Sequence, residues 1–377
     1  MSAIYIHIPF CKQACHYCDF HFSTSMGKKE TMVRALLKEI LLRKDELKGE
    51  VVETIYFGGG TPSVLEVKQV NQLIDVIYAN YEVVRFPEIT LEANPDDLSR
   101  NRLEEFSKSP INRLSIGVQS FFDEDLKLMN RAHDALEAKQ SIKEASRYFE
   151  NISIDLIYGI PGMTDGHWRQ NIETALAFNI PHISSYALTV EPKTALAHFI
   201  KKGVVQNVDD EVAERHFHIL SDTLMDAGYT CYEISNFGKP GYFSGNNTAY
   251  WQQKKYLGIG PSAHSYDGNR RGWNVRSNPK YVRAIALGEL PMEVEVLSKT
   301  DKYNEYVMTG LRTIWGVSLE KIGVSFGEIY AKHIGERAKK YLEAHLLYLD
   351  GDTLLATRKG KFLVDGIASD LFMVNLS

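Results

Sequence analysis

The chain has 377 residues, of which 44% are hydrophobic and 24% are charged, and it carries a formal net charge of −5 with a pI near 6.2. This balance is typical of a globular protein and excludes a disordered, collagen-like or coiled-coil chain. The acidic charge gives no general attraction to nucleic acid, and no run approaches the roughly 18 apolar residues of a membrane span. The first ten residues lack the basic start of a signal peptide and predict a strand, so we expect a cytoplasmic protein.

Short β-rich runs alternate with helical patterns in the first half of the chain. The predicted strands are residues 4–8, 54–57, 89–92, 113–119, 152–158 and 182–188, and helices are predicted at 28–48 (with Gly49 as C-cap), 67–78, 135–148 and 168–178. Alternation of strand and helix predicts parallel strands joined by right-handed crossovers. Six such units predict an α/β fold, a partial (β/α)6 TIM-like barrel, with a doubly wound sheet as the competing geometry.

In the remainder of the chain, strands and helices no longer alternate regularly. A helix at 211–227 and a strand at 229–234 precede turn residues at 238–241. Helices at 303–313 and 336–345, a hairpin formed by 346–348 and 354–356, and a final segment at 367–374 then predict a small winged-helix-like domain. We therefore divide the chain into a barrel domain, residues 1–240, and a C-terminal domain, residues 241–377.

Three of the four cysteines lie within eight residues. Cys11, Cys15 and Cys18 form a Cys-x3-Cys-x2-Cys pattern in the loop after the first strand, whereas Cys231 lies in a later strand. Three thiolates in one loop can ligate three irons of a cubane cluster and leave the fourth iron open for a ligand. The alternative is a zinc site with His16 or a distant residue as fourth ligand.

A glycine run ends the second strand. Gly58, Gly59 and Gly60 are followed by Thr61 and Pro62, and such a run lets backbone groups approach a ligand closely. It lacks the lysine of a Walker loop and the spacing of a dinucleotide fingerprint.

The cysteine pattern, with the aromatic Tyr17 before the third cysteine and Gly-Gly-Gly-Thr-Pro one unit later, resembles the radical S-adenosylmethionine superfamily. The resemblance implies a 4Fe–4S cluster on Cys11, Cys15 and Cys18, with Tyr17 beside it. It also implies that the open iron binds S-adenosylmethionine, which the cluster cleaves to a 5′-deoxyadenosyl radical.

Further motifs resemble the oxygen-independent coproporphyrinogen III oxidase group, over nearly the whole chain. They are His-Ile-Pro-Phe-Cys at 7–11, Glu-Ala-Asn-Pro at 92–95, Ser-Ile-Gly-Val-Gln-Ser-Phe at 115–121, Asp-Leu-Ile-Tyr-Gly-Ile-Pro at 155–161, Tyr-Glu-Ile-Ser-Asn at 232–236 and Tyr-Leu-Gly-Ile-Gly-Pro-Ser-Ala-His at 256–264.

The same resemblance assigns a set of residues to the S-adenosylmethionine sites: Tyr5, Gly59, Gly60, Thr61, Glu92, Gln119, Arg131, Asp155 and Ala187. Glu92 suits a ribose hydroxyl or the ammonium group, Asp155 and Gln119 suit ribose hydroxyls, and Arg131 suits the carboxylate. His264 matches a further family position near the cofactor. Most of these residues lie at the carboxyl ends of the predicted strands, which is the ligand-binding rim of a parallel barrel.

Two departures separate the chain from the oxidases proper. The oxidases carry a further cysteine two residues after the third cluster cysteine, where this chain has Phe20, and they have an N-terminal extension before the first strand. Both departures resemble the HemW-type haem chaperones. That group usually has a histidine at the position of Asn246, and an amide is a poor iron ligand. His264, His21 and Tyr250 are the remaining candidates for haem, with His264 the first choice.

The predicted function is therefore that of a HemW-type haem chaperone, which binds a 4Fe–4S cluster, S-adenosylmethionine and haem and transfers haem to acceptor proteins. The alternative is oxidative decarboxylation of coproporphyrinogen III. The resemblance implies haem or a porphyrinogen, haem-acceptor proteins and an electron donor such as flavodoxin or ferredoxin as partners, and it allows peripheral membrane association. An RNA-modifying enzyme is disfavoured, because residues 301–377 carry ten basic and ten acidic side chains and show no basic footprint.

Overall fold

The structure, a computed structural model, describes residues 2–374. Its strands are β1 (Ser2–Ile8), β2 (Val52–Gly59), β3 (Val83–Ala93), β4 (Arg113–Gln119), β5 (Asn151–Tyr158), β6 (His182–Ala187), β7 (Thr230–Glu233), β8 (Asn236–Gly238), β9 (Lys255–Ile259), β10 (His264–Tyr266), β11 (Arg270–Asn274), β12 (Met292–Val296), β13 (Val317–Ser318), β14 (Leu347–Asp350) and β15 (Thr353–Ala356).

Its helices are α1 (Lys29–Leu42), α2 (Val67–Asn80), α3 (Arg100–Ser107), α4 (Asp123–Leu128), α5 (Ala135–Ala145), α6 (Asp165–Ala177), α7 (Ala195–Lys201), α8 (Asp210–Asp226), α9 (Gly245–Trp251), α10 (Asn278–Leu287), α11 (Lys299–Leu311), α12 (Leu319–Phe326), α13 (Glu328–Glu343), α14 (Arg358–Phe362) and α15 (Val364–Asp370).

Strands β1 to β6 are parallel and lie side by side in the order of the sequence. A doubly wound sheet reverses its strand order at a switch point, and no reversal occurs among these six strands. The sheet continues at both edges instead of closing, through β9 to β12 beside β1 and through β8 and β7 beside β6. The prediction of a partial TIM-like barrel is therefore confirmed.

The strands of the barrel have one apolar and one polar face. In β1, Ile4, Ile6 and Ile8 are fully buried in the main apolar cluster, whereas Tyr5 and His7 line internal cavities. The same alternation places polar side chains of the other strands in the barrel interior, here called the lumen: Tyr56, Glu92, Arg113, Ser115, Asp155, Ser184 and Tyr186. An ordinary TIM barrel fills this space with branched apolar residues. The lumen of this protein is therefore a polar chamber.

The C-terminal part has its own apolar cluster, which begins at Tyr303 and ends at Leu371. Its three-stranded sheet, in the order β13–β15–β14, packs with α11 to α13 in a winged-helix-like arrangement. Residues 255–296 belong to the large sheet, where β9 pairs in parallel with β1. The domain boundary after residue 240 stays a prediction.

The sequence prediction for the first helix was wrong in detail. Helix α1 ends at Leu42 rather than near residue 48, and Arg43 is its C-cap. Gly49 closes the turns that follow, with a φ of 80° that favours glycine. The final segment at 367–374, for which no element type was predicted, is the end of α15 followed by irregular chain.

A buried ion pair joins Glu39 in the last turn of α1 to its C-cap Arg43, with Nη1 and Oε1 3.1 Å apart. Arg43 also donates to the Gly258 carbonyl and to Ser265 Oγ, at 2.8 and 3.1 Å. The Glu39 carboxylate accepts bonds from Gly260 N (2.7 Å), Asn274 Nδ2 (2.7 Å) and Tyr281 Oη (2.6 Å). The pair therefore fastens β9 to β11 and α10 to the first βα unit.

Glu39→Gln is expected to lower the free energy of unfolding by about 1–3 kcal/mol, because it removes a charged acceptor from Arg43, which keeps its ion pair with Glu46. Denaturant unfolding measures this change. Glu104→Gln is the matched control: Glu104 and Lys108 form an exposed pair at the same four-residue spacing, with atoms 2.7 Å apart. That substitution should change stability by less than about 1 kcal/mol. Equal effects of the two variants would contradict a structural role for the buried pair.

Candidate functional site

Cys11, Cys15 and Cys18 lie in the segment between β1 and α1, here called the thiol loop (residues 9–25). All three side chains are partly buried. Just after β1, Cys11 N donates to the Ser23 carbonyl at 3.1 Å and Ser23 N donates to the Pro9 carbonyl at 2.9 Å. The two ends of the loop thus hold each other, and the thiols lie above the carboxyl end of β1.

His16 anchors the middle of the thiol loop to its neighbours. Its amide donates to the Met129 carbonyl at 3.0 Å, and its carbonyl accepts from Leu196 N at 2.8 Å. Its Nδ1 lies 2.9 Å from the Leu128 carbonyl, and its ring meets Phe199 edge-on at 5.0 Å. His16 therefore acts as a structural anchor, and the sequence-based alternative in which it is a zinc ligand finds no support.

Two side chains from neighbouring loops donate to the sulfurs, one after β2 and one between α4 and α5. Thr61 Oγ1 lies 3.5 Å from Cys11 Sγ, and Arg131 Nη1 lies 3.3 Å from Cys15 Sγ. Arg131 is held in place by Asn94 Oδ1 and the Gly117 carbonyl, both 2.7 Å from its Nη2. Hydrogen bonds and positive charge at thiolate sulfur stabilise the ionised form.

Burial nevertheless raises the pKa of Cys11 to about 11, and the pKa of Cys18 likewise. Among residues 2–374, no group of three His, Cys, Asp or Glu side chains could hold a metal ion. Ligands of one zinc ion must converge on a point, whereas a cubane places each thiolate on a different iron. Three partly buried thiols in one loop, two of them with hydrogen-bond donors, are a donor set that a cubane cluster can use.

The glycine run packs directly beneath the thiol loop. Gly60 N donates to the Ile8 carbonyl at 2.9 Å, and a Cβ at Gly60 would lie 2.6 Å from the Phe10 carbonyl oxygen. Gly59 has a φ of 109°, and a Cβ there would lie 2.5 Å from the His7 ring. No other residue type fits at either position, so the run is required for the close approach of β2 to the loop.

Two carboxyl groups project into the lumen. Glu92 accepts from Tyr56 Oη at 2.8 Å and from Gly59 N at 3.2 Å, and Asp155 lies 3.4 Å from Ser115 Oγ. Burial raises the pKa of Glu92 to about 7 and that of Asp155 to about 6. Both groups therefore titrate near neutral pH, and a bound cation would favour their ionised forms.

The other predicted site residues lie around this centre. Tyr5 lines the lumen, and its hydroxyl oxygen lies 3.2 Å from His7 Nδ1. Tyr17 packs on the main apolar cluster. Gln119 ends β4 with a φ of 70°, and its amide lies beside Gly117 together with Arg131. Ala187 ends β6 opposite Tyr158. The structure thus brings the predicted residues to one end of the barrel, whereas their roles remain predictions.

Two cavities open from this end. The smaller cavity, about 230 Å³, is the lumen itself. The larger cavity, about 1000 Å³, lies between the barrel mouth and the C-terminal domain. Its walls include the aromatic side chains Tyr5, Phe20, Tyr250, Tyr256, Tyr266 and Phe372. Tyr5, Glu92 and Tyr250 line both cavities, so the two spaces adjoin.

Three histidines line the larger cavity, and they differ in availability. His7 has both ring nitrogens engaged, by Tyr5 Oη and by the His21 carbonyl at 2.9 Å. His21 Nε2 lies 2.7 Å from Asn278 Oδ1. His264 is exposed beside Trp273, with ring centroids 6.0 Å apart, and within residues 2–374 its ring makes no hydrogen bond. Of the three, His264 is the most available to a metal ion outside the chain.

Arg271 and Arg276, which the sequence analysis missed, also line the larger cavity. Arg271 forms ion pairs with Glu295 and Glu305, and Arg276 donates to the Asp19 carbonyl. No local sequence pattern marks them, because the cavity is formed only when β11 meets α11.

Asn246 does not lie in the larger cavity. It is buried at the wall of the smaller one, where its Oδ1 accepts from Thr54 Oγ1 at 3.2 Å. Tyr250 lines both cavities, and burial raises the pKa of its hydroxyl, which keeps the phenol neutral. Of the sequence-based haem candidates, Tyr250 is therefore a buried neutral phenol, whereas His264 is an open imidazole.

Two family models match the chain. The radical SAM superfamily model matches residues 5–175, and the HemN C-terminal domain model matches residues 297–363. The first covers the thiol loop and β1 to β5, and the second covers α11 to α13 and the hairpin.

Similar proteins cover the whole chain. Heme chaperone HemW of Lactococcus lactis is 34% identical over 97% of this chain and 98% of its own. Heme chaperone HemW of Bacillus subtilis is also 34% identical, over 96% of this chain and 97% of its own. The solved structure of coproporphyrinogen III oxidase (HemN) from Escherichia coli superposes with a TM-score of 0.85 at 23% identity, over 99% of this chain and 90% of that one, which shows the shared fold. In the part of the chain that the structure describes, no helix is long and apolar enough to cross a membrane.

The titration of Glu92 gives a testable pH dependence. Its pKa is raised on folding from the usual 4.5 to about 7, so its contribution to stability is complete below the unfolded value and is lost as the pH rises through about 7. The melting temperature of the ligand-free protein should fall between about pH 5.5 and about pH 8, and Glu92→Gln should reduce that fall.

Glu173→Gln, at an exposed site on α6, serves as the control and should keep the wild-type slope. An unchanged slope in Glu92→Gln would show that the Glu92 carboxyl is not protonated in the folded protein.

Proposed function

The chain belongs to the HemW family of radical S-adenosylmethionine proteins, and from this premise we propose that it binds haem in the larger cavity and transfers it to acceptor proteins. The observation that carries the proposal is the aromatic cavity of about 1000 Å³ beside the thiol loop, with an open imidazole, His264, on its wall. Aromatic walls with a few polar groups are typical of sites for flat organic ligands.

The proposal includes a 4Fe–4S cluster on Cys11, Cys15 and Cys18. The donor set supports it, because three thiols share one loop and Thr61 and Arg131 donate to their sulfurs. Such hydrogen bonds hold cluster thiolates and tune a cluster's potential. When bound, the cluster would supply single electrons to S-adenosylmethionine.

S-adenosylmethionine is proposed to bind at the barrel rim beside the thiol loop. Arg131 has an Nε without a partner among the described residues, and this N–H can donate to a ligand carboxylate. Glu92 and Asp155 suit the ammonium group or ribose hydroxyls of the same molecule. Gln119, Gly59, Gly60, Thr61 and Ala187 complete the proposed rim.

Haem is proposed to lie against the aromatic wall with His264 as its iron ligand. A neutral imidazole is a strong iron ligand, and the His264 ring is open to the larger cavity. His21 is the less suitable candidate because Asn278 holds one of its ring nitrogens.

Phe20 distinguishes this proposal from the oxidase reaction. It stands where the oxidases carry an additional cysteine, and its ring is 69% exposed beside the larger cavity. An exposed aromatic ring can stack on a macrocycle, whereas it cannot replace a thiol. We further propose a cytoplasmic location, with haem-acceptor proteins and a reducing protein such as a flavodoxin or ferredoxin as partners.

The cluster is tested by iron content. Anaerobically reconstituted protein should bind about four irons per chain, and Cys15→Ala should lose them because each cluster thiolate is needed. Cys231→Ala is the matched control, since Cys231 is buried in β7 with its Sγ 3.3 Å from the Glu233 carbonyl. Retention of iron by Cys15→Ala, or its loss from Cys231→Ala, would refute the ligand assignment.

The haem site is tested by titration with haem while the Soret band is recorded. His264→Ala should shift the band and weaken binding at least about tenfold, a change of about 1.4 kcal/mol, because the iron loses its imidazole. His218→Ala, in α8 on the side of the barrel, should behave as wild type.

Adding Asn246→His to His264→Ala checks the alternative location. The imidazole introduced at position 246 would face the smaller cavity and should not restore the wild-type Soret band. Restoration would place haem deeper in the barrel than we propose.

A further inference from the structure

Arg113 is a buried side chain of the lumen. It is the first residue of β4, only 1% of its surface is exposed, and it lines the smaller cavity. The strand register places it in one layer with Tyr5, Tyr56 and Thr90. Tyr5 in this layer also lines the larger cavity, so the layer borders both spaces.

The guanidinium of Arg113 is poorly compensated. Among the described residues its Nε has no hydrogen-bond partner, and Thr90 Oγ1 in the same layer also has none. The carboxylate in contact with it is that of Glu88, with Oε2 4.0 Å from Nε. The Glu88 oxygens already accept from Gly245 N at 2.9 Å and from Asn246 N at 3.1 Å.

The two carboxyl groups of the lumen do not complete the neutralisation. The charge of Arg113 lowers the pKa of Asp155, but burial raises it more, to about 6, and the pKa of Glu92 is about 7. Near neutral pH Glu92 is therefore partly protonated and Asp155 is mostly ionised. Within residues 2–374 neither carboxyl group forms a hydrogen bond or an ion pair with the guanidinium of Arg113, which stays charged. A buried cation without its hydrogen bonds is costly, so its retention indicates a ligand that supplies the missing acceptor.

We propose that Arg113 binds the carboxylate of a ligand arm that enters the lumen from the larger cavity. The smaller cavity, about 230 Å³, is below the roughly 300–1,000 Å³ of sites that enclose a whole ligand, so it suits part of one. The adjoining larger cavity holds the ligand body, and guanidinium and carboxylate bind each other through paired hydrogen bonds. Where the body is a tetrapyrrole, the arm is a propionate, and in that form the inference rests on the proposed function. S-adenosylmethionine offers the same chemistry through its amino-acid carboxylate, and Arg113 would then replace Arg131 as the partner of that carboxylate.

Binding of mesoporphyrin IX and of its dimethyl ester, followed by quenching of porphyrin fluorescence, separates the carboxylate from the ring. Without iron, neither probe depends on His264. The wild-type protein should bind the diacid at least about tenfold more tightly than the ester. Arg113→Gln should remove this preference, because it weakens binding of the diacid and leaves binding of the ester unchanged. Arg113→Lys keeps the charge and should retain part of the preference.

Arg147→Gln is the control, because Arg147 is exposed and pairs with Glu144; it should match wild type. Should Arg113→Gln fail to fold, Arg113→Lys takes its place, and an acid–ester preference equal to that of the wild type would count against Arg113, because Arg271 and Arg276 also line the larger cavity. In the second arm of the experiment, S-adenosylmethionine and its decarboxylated analogue are each titrated into the reconstituted wild-type protein and into Arg113→Lys.

The protein could bind S-adenosylmethionine more tightly than its decarboxylated analogue and show no acid–ester preference for the porphyrin. If Arg113→Lys also reduced that difference in affinity, the inference would be supported with S-adenosylmethionine as the source of the carboxylate. Absence of any carboxylate preference in both arms would overturn it. Failure of the wild-type protein to bind either porphyrin would instead refute the proposed function, and the second arm would still test Arg113.

Discussion

The alternation of apolar and polar side chains along β1 to β6 is the constraint on which the site depends. Side chains such as Ile4 and Ile6 pack against the helices, and every second residue is thereby turned into the lumen. Because several of those residues are Tyr, Glu, Arg, Ser or Asp, the barrel encloses a polar chamber instead of an apolar core. A shift of one residue in any strand would exchange the two faces, so register and function are linked.

Polar groups inside a barrel are stable only if they are bonded, and the structure shows how this is achieved. Tyr56 and Gly59 donate to Glu92, and Ser115 lies beside Asp155. Arg113 Nε and Thr90 Oγ1 in the lumen, and Arg131 Nε at the rim, are among the buried atoms that have no partner in residues 2–374. Buried polar groups in native proteins are nearly always satisfied, so these exceptions mark places where a ligand or water completes the structure.

Local sequence predicted most of the barrel. The six strands, the thiol loop and the glycine run follow from short-range patterns, and β4 begins and ends at the predicted residues. The larger cavity could not be predicted, since Arg271, His21 and Phe372 come from segments far apart in the chain. The Glu39–Arg43 pair was missed for the same reason: it looks like an ordinary exposed helix pair until β9 to β11 cover it. Asn246 was noted as an unusual residue, but only the fold shows that it faces the smaller cavity.

The central claim is that haem lies at the junction of the barrel mouth and the C-terminal domain, separate from the cluster on the thiol loop. Crystals of the reconstituted protein with haem, measured at the iron absorption edge, give the positions of all iron atoms directly. We expect one anomalous peak beside Cys11, Cys15 and Cys18 and a second in the larger cavity next to His264. A haem iron outside that cavity would contradict the claim.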